Sequence, residues 1–258
     1  MKPNLFTARS SKSVQARQKN NVFFFDNTVR RIDPVNEIKP AEAVNKMSNV
    51  AEKPSIKGIA FDWGGVLCED PAPGFIKQLA ARFQCSRDDL EPHLSVIMDD
   101  FQRGIISEER FLSYLAEKLN GPAVNEPFWK DALRKVYREQ PVVYQIIRSL
   151  RASGYVIGLM TNTEMPAREF HLECGYDFFD ARIFSCDEGL VKPERAIYDL
   201  MANRLGININ QLLVVDDKKA NIEGAKAAGA FGILYENHVQ LATDLKTCFL
   251  IKIYDRHL

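Results

Sequence analysis

Cysteine is scarce in this sequence of 258 residues, and its pattern excludes the usual cysteine-based scaffolds. The five cysteines lie far apart, form no Cys-x-x-Cys pair and have no histidines near them at the spacing of zinc ligands. They are Cys68, Cys85, Cys174, Cys186 and Cys248. An odd number of scattered thiols predicts a protein of the reducing cytoplasm that folds without disulfides.

An excess of charge and a long apolar run are also missing. Lysine plus arginine number 34, as do aspartate plus glutamate, so charge gives no argument for nucleic acid or a membrane as partner. No apolar run approaches the length that spans a bilayer, and the N-terminus lacks the apolar stretch of a secretory signal. We therefore expect a cytoplasmic protein that does not contact membranes.

The N-terminal region differs in composition from the rest of the chain. Residues 1–21 carry basic side chains and no acid, and residues 35–57 show weak periodicity with two prolines. We expect residues 1–56 to be a largely disordered basic arm and linker, with a targeting peptide as the less favoured alternative. The arm is a candidate for binding a protein partner.

From residue 57 onward the sequence alternates between strand-like and helical patterns. Strand-like apolar runs occupy residues 58–62, 155–162, 181–185, 212–217 and 231–235. Helical patterns between the later runs cover residues 166–174, 192–206 and 218–229. This alternation predicts an α/β fold, in which crossover helices connect the strands of a parallel sheet.

The gap between the first two strands is too long for one crossover. It holds amphipathic patterns at about residues 74–84, 88–102, 107–120 and 125–138, followed by a helix over 141–154. We predict a four-helix cap over residues 70–140, inserted into a core made of residues 57–69 and 141–258. Ligands of open parallel sheets bind beyond the carboxyl ends of the strands, so the cap would cover that site.

Polar residues end several of the predicted strands and would meet at one edge of the sheet. They are Asp62 at the end of the first strand, Thr161 and Asn162 at the end of the second, Asp216 and Asp217 at the end of the fourth, and Lys192 at the start of a helix. Carboxylates suit Mg²⁺, and a lysine neutralises phosphate oxygens. The set predicts a site for a phosphoryl group and a divalent cation.

Asp62 has a further role available, because a carboxylate can attack phosphorus and form an aspartyl-phosphate. Gly64 and Gly65 follow it and would let backbone N–H groups approach the phosphoryl oxygens.

The motifs that carry these residues resemble those of one known superfamily. They are FDWGGVL, LMTNT, GLVKPERAIYDLMANRLGI and LLVVDDKKANIEGAKAAGAFGILY, which together span about residues 57–236. In this order and spacing they are similar to the four motifs of the haloacid dehalogenase-like (HAD) hydrolase superfamily. The inserted helices resemble its capped subfamily I, and GIISEERF resembles a cap segment of its sugar-phosphatase-like branch.

The resemblance implies a Rossmann-like core and assigns roles to matching positions. Asp62 matches the nucleophile, Thr161 the hydroxyl that holds the phosphoryl group with Asn162 beside it, and Lys192 the stabilising lysine. The metal ligands for Mg²⁺ would be Asp62, the backbone carbonyl of Gly64, Asp217 and Asp216, the last as a ligand or a neighbour of one. The implied activity is hydrolysis of a small phosphomonoester, a sugar phosphate or a related metabolite phosphate.

One position departs from the phosphatase pattern. Phosphatases of this superfamily carry a second aspartate two residues after the nucleophile, where this chain has Gly64. General acid–base catalysis contributes about 10²–10⁴-fold to a rate. The chain is therefore a slow phosphatase, a phosphatase that uses another acid such as Glu69 or Asp70, or no enzyme at all.

Two alternatives to a phosphatase remain. A non-catalytic relative would bind a phosphorylated ligand or a protein partner, and Gly64 and the N-terminal arm favour it. A 2-haloacid dehalogenase is a distant third, because dehalogenases of the superfamily need no metal and lack the Asp216–Asp217 pair.

Overall fold

The computed structural model describes residues 55–123 and 126–252. The predicted basic arm and linker over residues 1–56 lies outside the described residues, apart from residues 55 and 56. The expectation that the arm binds a protein partner therefore also concerns residues that the structure does not describe.

A five-stranded parallel sheet forms the centre of the described part of the chain, with strand order β3-β2-β1-β4-β5. The strands are β1 Gly58–Phe61, β2 Val156–Thr161, β3 Ala181–Phe184, β4 Leu212–Asp216 and β5 Phe231–Leu234. Every residue of β1 and β4 is buried, because helices on both faces exclude water from the central strands. The predicted α/β, Rossmann-like sheet is confirmed, and each strand ends within one residue of its predicted range.

Four helices lie between β1 and the next helix of the core, as predicted for the cap. They are α1 Ala72–Phe83, α2 Arg87–Gln102, α3 Glu108–Lys118 and α4 Trp129–Val136. Ser86 begins α2 with a capping box, since its side chain accepts from the backbone N–H of Asp89 and Asp89 accepts from the backbone of Ser86. Helix α4 is anchored by Trp129, whose ring packs edge-on against Phe101 and Phe111 at centroid distances of 4.8 and 5.1 Å.

The remaining helices cover the two faces of the sheet. They are α5 Pro141–Ala152, α6 Met165–Glu173, α7 Ser185–Glu188, α8 Arg195–Arg204, α9 Lys219–Ala228 and α10 His238–Thr247. Ala60 and Val214 share a cluster with α8 and α9, whereas Phe61 and Val215 share one with α5 and α10, because successive strand residues point to opposite faces. Helices α7 and α10 were not predicted from the sequence pattern. Among the described helices, none is long and apolar enough to cross a membrane.

Polar contacts hold the cap against the core. The Arg103 guanidinium, just after α2, donates to both carboxylate oxygens of Glu194, at 2.6 and 3.2 Å. The Ser185 hydroxyl donates to the backbone carbonyl of Gln102 at 2.6 Å. These bonds fix the C-terminal end of α2 above the carboxyl edge of the sheet.

Candidate active site

The carboxyl edge of the sheet brings the predicted polar residues together. Strand β1 pairs in parallel with both β2 and β4, so the residues that end these strands are neighbours. Asp62 directly follows β1, Thr161 ends β2 and Asp216 ends β4. The Asp62 backbone N–H donates to the carbonyl of Val215 at 2.9 Å, which extends the β1–β4 pairing by one residue beyond β1.

Lys192 connects two of these strand ends. Its ammonium nitrogen lies 2.9 Å from Asp62 Oδ1 and 2.6 Å from Asp216 Oδ2, and it also donates to the carbonyl of Met160 at 2.9 Å. Its side chain is only 1% exposed. All three ammonium protons therefore have an acceptor, and the lysine is held in one orientation.

Burial and charge set the protonation of this group. Burial favours the uncharged amine of Lys192, but Asp62 and Asp216 oppose it and leave the lysine pKa above its usual value. Burial likewise raises the pKa of Asp62 from 3.8 to about 6, against the lowering effect of Lys192. In the metal-free protein, Lys192 is therefore positively charged and lies beside Asp62, a carboxylate with a raised pKa.

Asp216 and Asp217 differ in what their oxygens contact. Both oxygens of Asp216 accept hydrogen bonds, from Lys192, from the side-chain amide of Asn221 and from the Lys218 backbone. Asp217 Oδ1 is buried and has no hydrogen-bond partner among the described residues. Asp216 is therefore occupied in holding Lys192, whereas Asp217 offers a free ligand atom.

The aspartates at this edge suit a hard cation. One carboxylate oxygen each from Asp62, Asp216 and Asp217 lie within 4.8 Å of one another. Mg²⁺ takes oxygen ligands and is commonly held by one or two carboxylates with water completing its shell. The unpartnered oxygen of Asp217 is a buried polar atom that such an ion would satisfy, so the residues present fit Mg²⁺.

The two glycines behind Asp62 play different structural roles. Gly65 has a φ of 81°, and a Cβ added there would overlap the Asp217 carboxylate. Gly64 has no positive φ, and a Cβ there would meet Pro71 Cδ at 3.3 Å, a tight contact that a small shift relieves. Gly65 is therefore required by the turn and by Asp217, whereas the backbone at position 64 tolerates a side chain.

Thr161 and Asn162, the predicted phosphate-binding residues at the end of β2, make different contacts. Asn162 uses its side-chain amide on the backbone of Lys192, donating to the carbonyl at 2.9 Å and accepting from the N–H at 2.8 Å. Thr161 is buried, and its hydroxyl makes only a 3.5 Å contact with the Asn162 carbonyl. Asn162 thus positions the lysine, and the Thr161 hydroxyl is the group left available to a ligand.

A cavity of about 280 Å³ opens above this edge. Five of the predicted site residues line it, namely Asp62, Gly64, Thr161, Asn162 and Lys192. Gly65, Asp216 and Asp217 adjoin it through the contacts described above. Trp63 also lines the cavity, and its indole N–H donates to the hydroxyl of Tyr176 at 3.0 Å.

Two further residues that line the cavity were not predicted from the sequence. Glu164, just before α6, is 8% exposed and accepts from Gln102 Nε2 at 3.1 Å and Trp129 Nε1 at 3.2 Å, both from the cap. Burial raises its pKa. Its position three residues beyond the end of β2 was the only local signal, and that position does not show that the cap buries the carboxylate.

His171 is the second residue. Its place in a helical pattern predicts a surface or partly packed side chain, but it is 3% exposed and its ring lies 4.2 Å from that of Trp63. Burial lowers its pKa to about 3, so the ring is neutral. Its Nδ1 has no hydrogen-bond partner among the described residues.

Comparisons with known proteins agree on one family. Residues 56–229 match the sequence profile of haloacid dehalogenase-like hydrolases. The sesquiterpene phosphatase astK of Aspergillus oryzae is 26% identical over 203 residues, which are 77% of this chain and 96% of that protein. The phosphoglycolate phosphatase of Yersinia pseudotuberculosis is 26% identical over 215 residues, 78% of this chain and 91% of that protein.

The fold is also found among solved structures. A HAD family enzyme from Bacteroides thetaiotaomicron, solved as a magnesium complex, superposes with a TM-score of 0.61 at 20% sequence identity. The match covers 70% of this chain and 94% of that one. At this identity the likeness establishes the fold.

Proposed function

Because this chain belongs to the haloacid dehalogenase-like hydrolase family, we propose that it hydrolyses a small phosphomonoester through an aspartyl-phosphate on Asp62, with Mg²⁺ as cofactor. The observation that carries the proposal is the buried lysine at hydrogen-bond distance from Asp62 and Asp216, beside the unpartnered oxygen of Asp217. The word phosphatase in the names of the two sequence relatives supports phosphoryl transfer.

In the first step the Asp62 carboxylate attacks phosphorus, and the bond from phosphorus to the alcohol oxygen breaks. Lys192 balances negative charge on the nucleophile and on the phosphoryl oxygens, while the Thr161 hydroxyl and the backbone around Gly64 hold the group in place. Water then attacks the phosphorus of the aspartyl-phosphate, which releases inorganic phosphate and restores the carboxylate.

Asp62, Asp217 and the Gly64 carbonyl would hold the metal ion. When bound, Mg²⁺ supplies charge that polarises the phosphoryl oxygens. Asp216 belongs with Lys192 rather than with the ion, since its oxygens already accept from protein donors.

The departing alcohol oxygen needs a proton, and Gly64 has no side chain to give one. Of the described acids, Asp70 and Glu164 line the cavity besides Asp62. Asp70 accepts from the backbone N–H of Ala72 at 3.0 Å and is exposed. Glu164 is buried with a raised pKa and so holds a proton more readily. We therefore assign Glu164 as the proton donor, and it regains its proton from the water that attacks in the second step.

A cytoplasmic protein that binds a phosphorylated ligand without hydrolysing it is the second candidate, and Gly64 is the observation that favours it. The test is hydrolysis of p-nitrophenyl phosphate with and without Mg²⁺ by the wild type and by Asp62→Asn. Asp88→Asn, which changes an exposed aspartate of α2, is the matched control. Turnover that requires Mg²⁺ and is lost only in Asp62→Asn supports the phosphatase, and a folded protein without turnover supports the binding protein.

A further inference from the structure

The cavity has two halves of opposite character. The polar half comes from the strand ends of the core and includes Asp62, Thr161 and Lys192. The other half comes from the cap helices and is almost entirely apolar. Its side chains are Phe75, Leu79, Leu94, Met98, Trp129 and Leu133. A phosphoryl group held by the core would direct the rest of the substrate toward this apolar half.

The cap offers a substrate almost no hydrogen-bonding groups. Among the described residues of α1–α4 that line the cavity, only Gln102 and Trp129 carry a polar side-chain atom. The Gln102 amide and the Trp129 indole N–H both donate to Glu164. A substrate hydroxyl in this half would lose its water and find few partners, which disfavours its binding.

The cap also offers no cationic side chain to a negatively charged group on the substrate, among the described residues that line the cavity. No lysine or arginine of the described cap helices lines the cavity, whose two cations are Lys192 and Lys218. Lys192 is already engaged by Asp62 and Asp216, and Lys218 adjoins the metal-site aspartates in sequence. A carboxylate or a second phosphate at the far end of the substrate would have no cation beside it.

The apolar half is also closely packed around Trp129. The Trp129 ring packs 4.2 Å from the ring of Phe75 and edge-on against Phe101 and Phe111. Its indole N–H is fixed by Glu164 at 3.2 Å. A surface held on several sides is preformed, so its shape and polarity select the ligand.

We propose that the substrate is a phosphomonoester of a compact apolar alcohol, with a branched, cyclic or aromatic hydrocarbon group, rather than of a sugar or other polyol. This proposal rests on the phosphatase function and narrows its substrate class. The cavity volume of about 280 Å³ lies near the lower end of small-molecule sites, which begin at roughly 300 Å³. The hydrocarbon group is therefore small, not a long chain.

A matched pair of substrates tests the proposal. Cyclohexylmethyl phosphate and glucose 6-phosphate both carry a six-membered ring joined to phosphate through a CH₂–O link, and they differ in the ring hydroxyls and ring oxygen. We expect kcat/KM for cyclohexylmethyl phosphate to be higher by about 100-fold or more. Equal values, or a preference for glucose 6-phosphate, would overturn the proposal.

A binding measurement distinguishes failure of the phosphatase function from failure of the substrate proposal. If no phosphate ester is hydrolysed, calorimetry with the same two compounds and the Mg²⁺-loaded wild type still measures the preference. Tighter binding of cyclohexylmethyl phosphate by about 100-fold or more supports the apolar site without catalysis. Equal affinities, or binding of neither compound, reject it.

A variant pair assigns the preference to the cap. Met98 is half-buried on α2 and lines the cavity, whereas Val96 on the same helix is 68% exposed and does not line it. Met98→Gln keeps the side-chain length but adds an amide, and we expect it to reduce the ratio of the two kcat/KM values about tenfold or more. Val96→Gln should leave the ratio unchanged. An unchanged ratio in Met98→Gln would show that the cap surface does not select the substrate.

Discussion

Lys192 Nζ lies 2.9 Å from Asp62 Oδ1, and both side chains are buried at the carboxyl edge of the sheet. The same nitrogen lies 2.6 Å from Asp216 Oδ2. One cation therefore balances two buried carboxylates, and the proposed nucleophile depends electrostatically on a residue 130 positions away in the sequence. We therefore expect a change at Lys192 to affect both the stability of the fold and the proposed activity.

Lys192→Met should impair both properties. Removing one partner of a buried ion pair destabilises a protein by about 3–5 kcal/mol, because the remaining charge is left uncompensated. We expect this loss in chemical denaturation and a decrease in kcat of at least about 100-fold. Lys219→Met is the control, since that lysine is 80% exposed on α9 and its loss should change little. A fully active, stable Lys192→Met variant would contradict the assigned role.

Gly65→Ala and Gly64→Ala should differ sharply. Alanine at position 65 requires a left-handed backbone and pushes against Asp217, so we expect kcat to fall on the order of 100-fold as the aspartate is displaced. Alanine at position 64 meets only Pro71 and should retain most activity. Steady-state kinetics and Mg²⁺ titration of the two variants measure this, and equal effects would refute the distinction between the glycines.

Mg²⁺ affinity should fall in acid. Burial raises the Asp62 pKa to about 6 in the metal-free protein, and the ion requires the charged carboxylate, so protons compete with it below that pH. We expect the apparent affinity to fall about tenfold for each pH unit below 6 and to level off above it. The increase in Tm caused by Mg²⁺ would then be larger at pH 7.5 than at pH 5.

The raised pKa of Asp62 also determines how the stability of the metal-free protein changes with pH. A carboxyl group whose folded pKa is raised binds its proton more tightly in the folded state, so its stabilising contribution is present at low pH. That contribution is lost as the pH rises through 6. In Asp62→Asn this component of the pH dependence should disappear; if the variant and the wild type show the same profile, Asp62 does not titrate as stated.

The role of Glu164 depends on the leaving group. In Glu164→Gln we expect kcat for an alkyl phosphate such as cyclohexylmethyl phosphate to fall by about 10²–10⁴-fold, and kcat for p-nitrophenyl phosphate to fall much less. Nitrophenolate leaves without a proton, whereas an alkoxide does not. The fold should survive, because the Gln102 amide can rotate to accept from the new side-chain amide.

Asp70→Asn is the matched comparison for Glu164→Gln. Both acids line the cavity, and the Asn variant should retain alkyl phosphate turnover. If Asp70→Asn shows the leaving-group-dependent loss instead, Asp70 is the proton donor and the assignment of Glu164 is wrong.

The strands and the site at their ends could be predicted because each depends on local sequence. A continuous apolar run such as residues 212–215 marks a buried strand, and the residue that ends the strand, here Asp216, must lie at the sheet edge. Helix α10 was missed because its buried residues, Leu241, Ala242 and Leu245, give only a short apolar pattern. Its start depends on Asn237, whose side chain caps the helix.

The part of the site that contacts the cap could not be predicted from the sequence, for a different reason. Glu164 is buried because Gln102 and Trp129 reach it from the cap, and no local pattern records that contact. The separate tasks of Asp216 and Asp217 also depend on tertiary contacts. Asp216 accepts from Lys192 and Asn221, whereas Asp217 Oδ1 has no hydrogen-bond partner among the described residues. Spacing alone treats the two aspartates as equivalent.

Chemical identification of the phosphorylated residue tests directly whether Asp62 is the nucleophile. The wild type, mixed with p-nitrophenyl phosphate and Mg²⁺ and quenched in acid during turnover, is digested and its peptides are analysed by mass spectrometry. We expect a phosphoryl group on Asp62 that is absent without Mg²⁺ and absent in Asp62→Asn. Turnover with the phosphoryl group on another residue, or turnover that persists in Asp62→Asn, would contradict it.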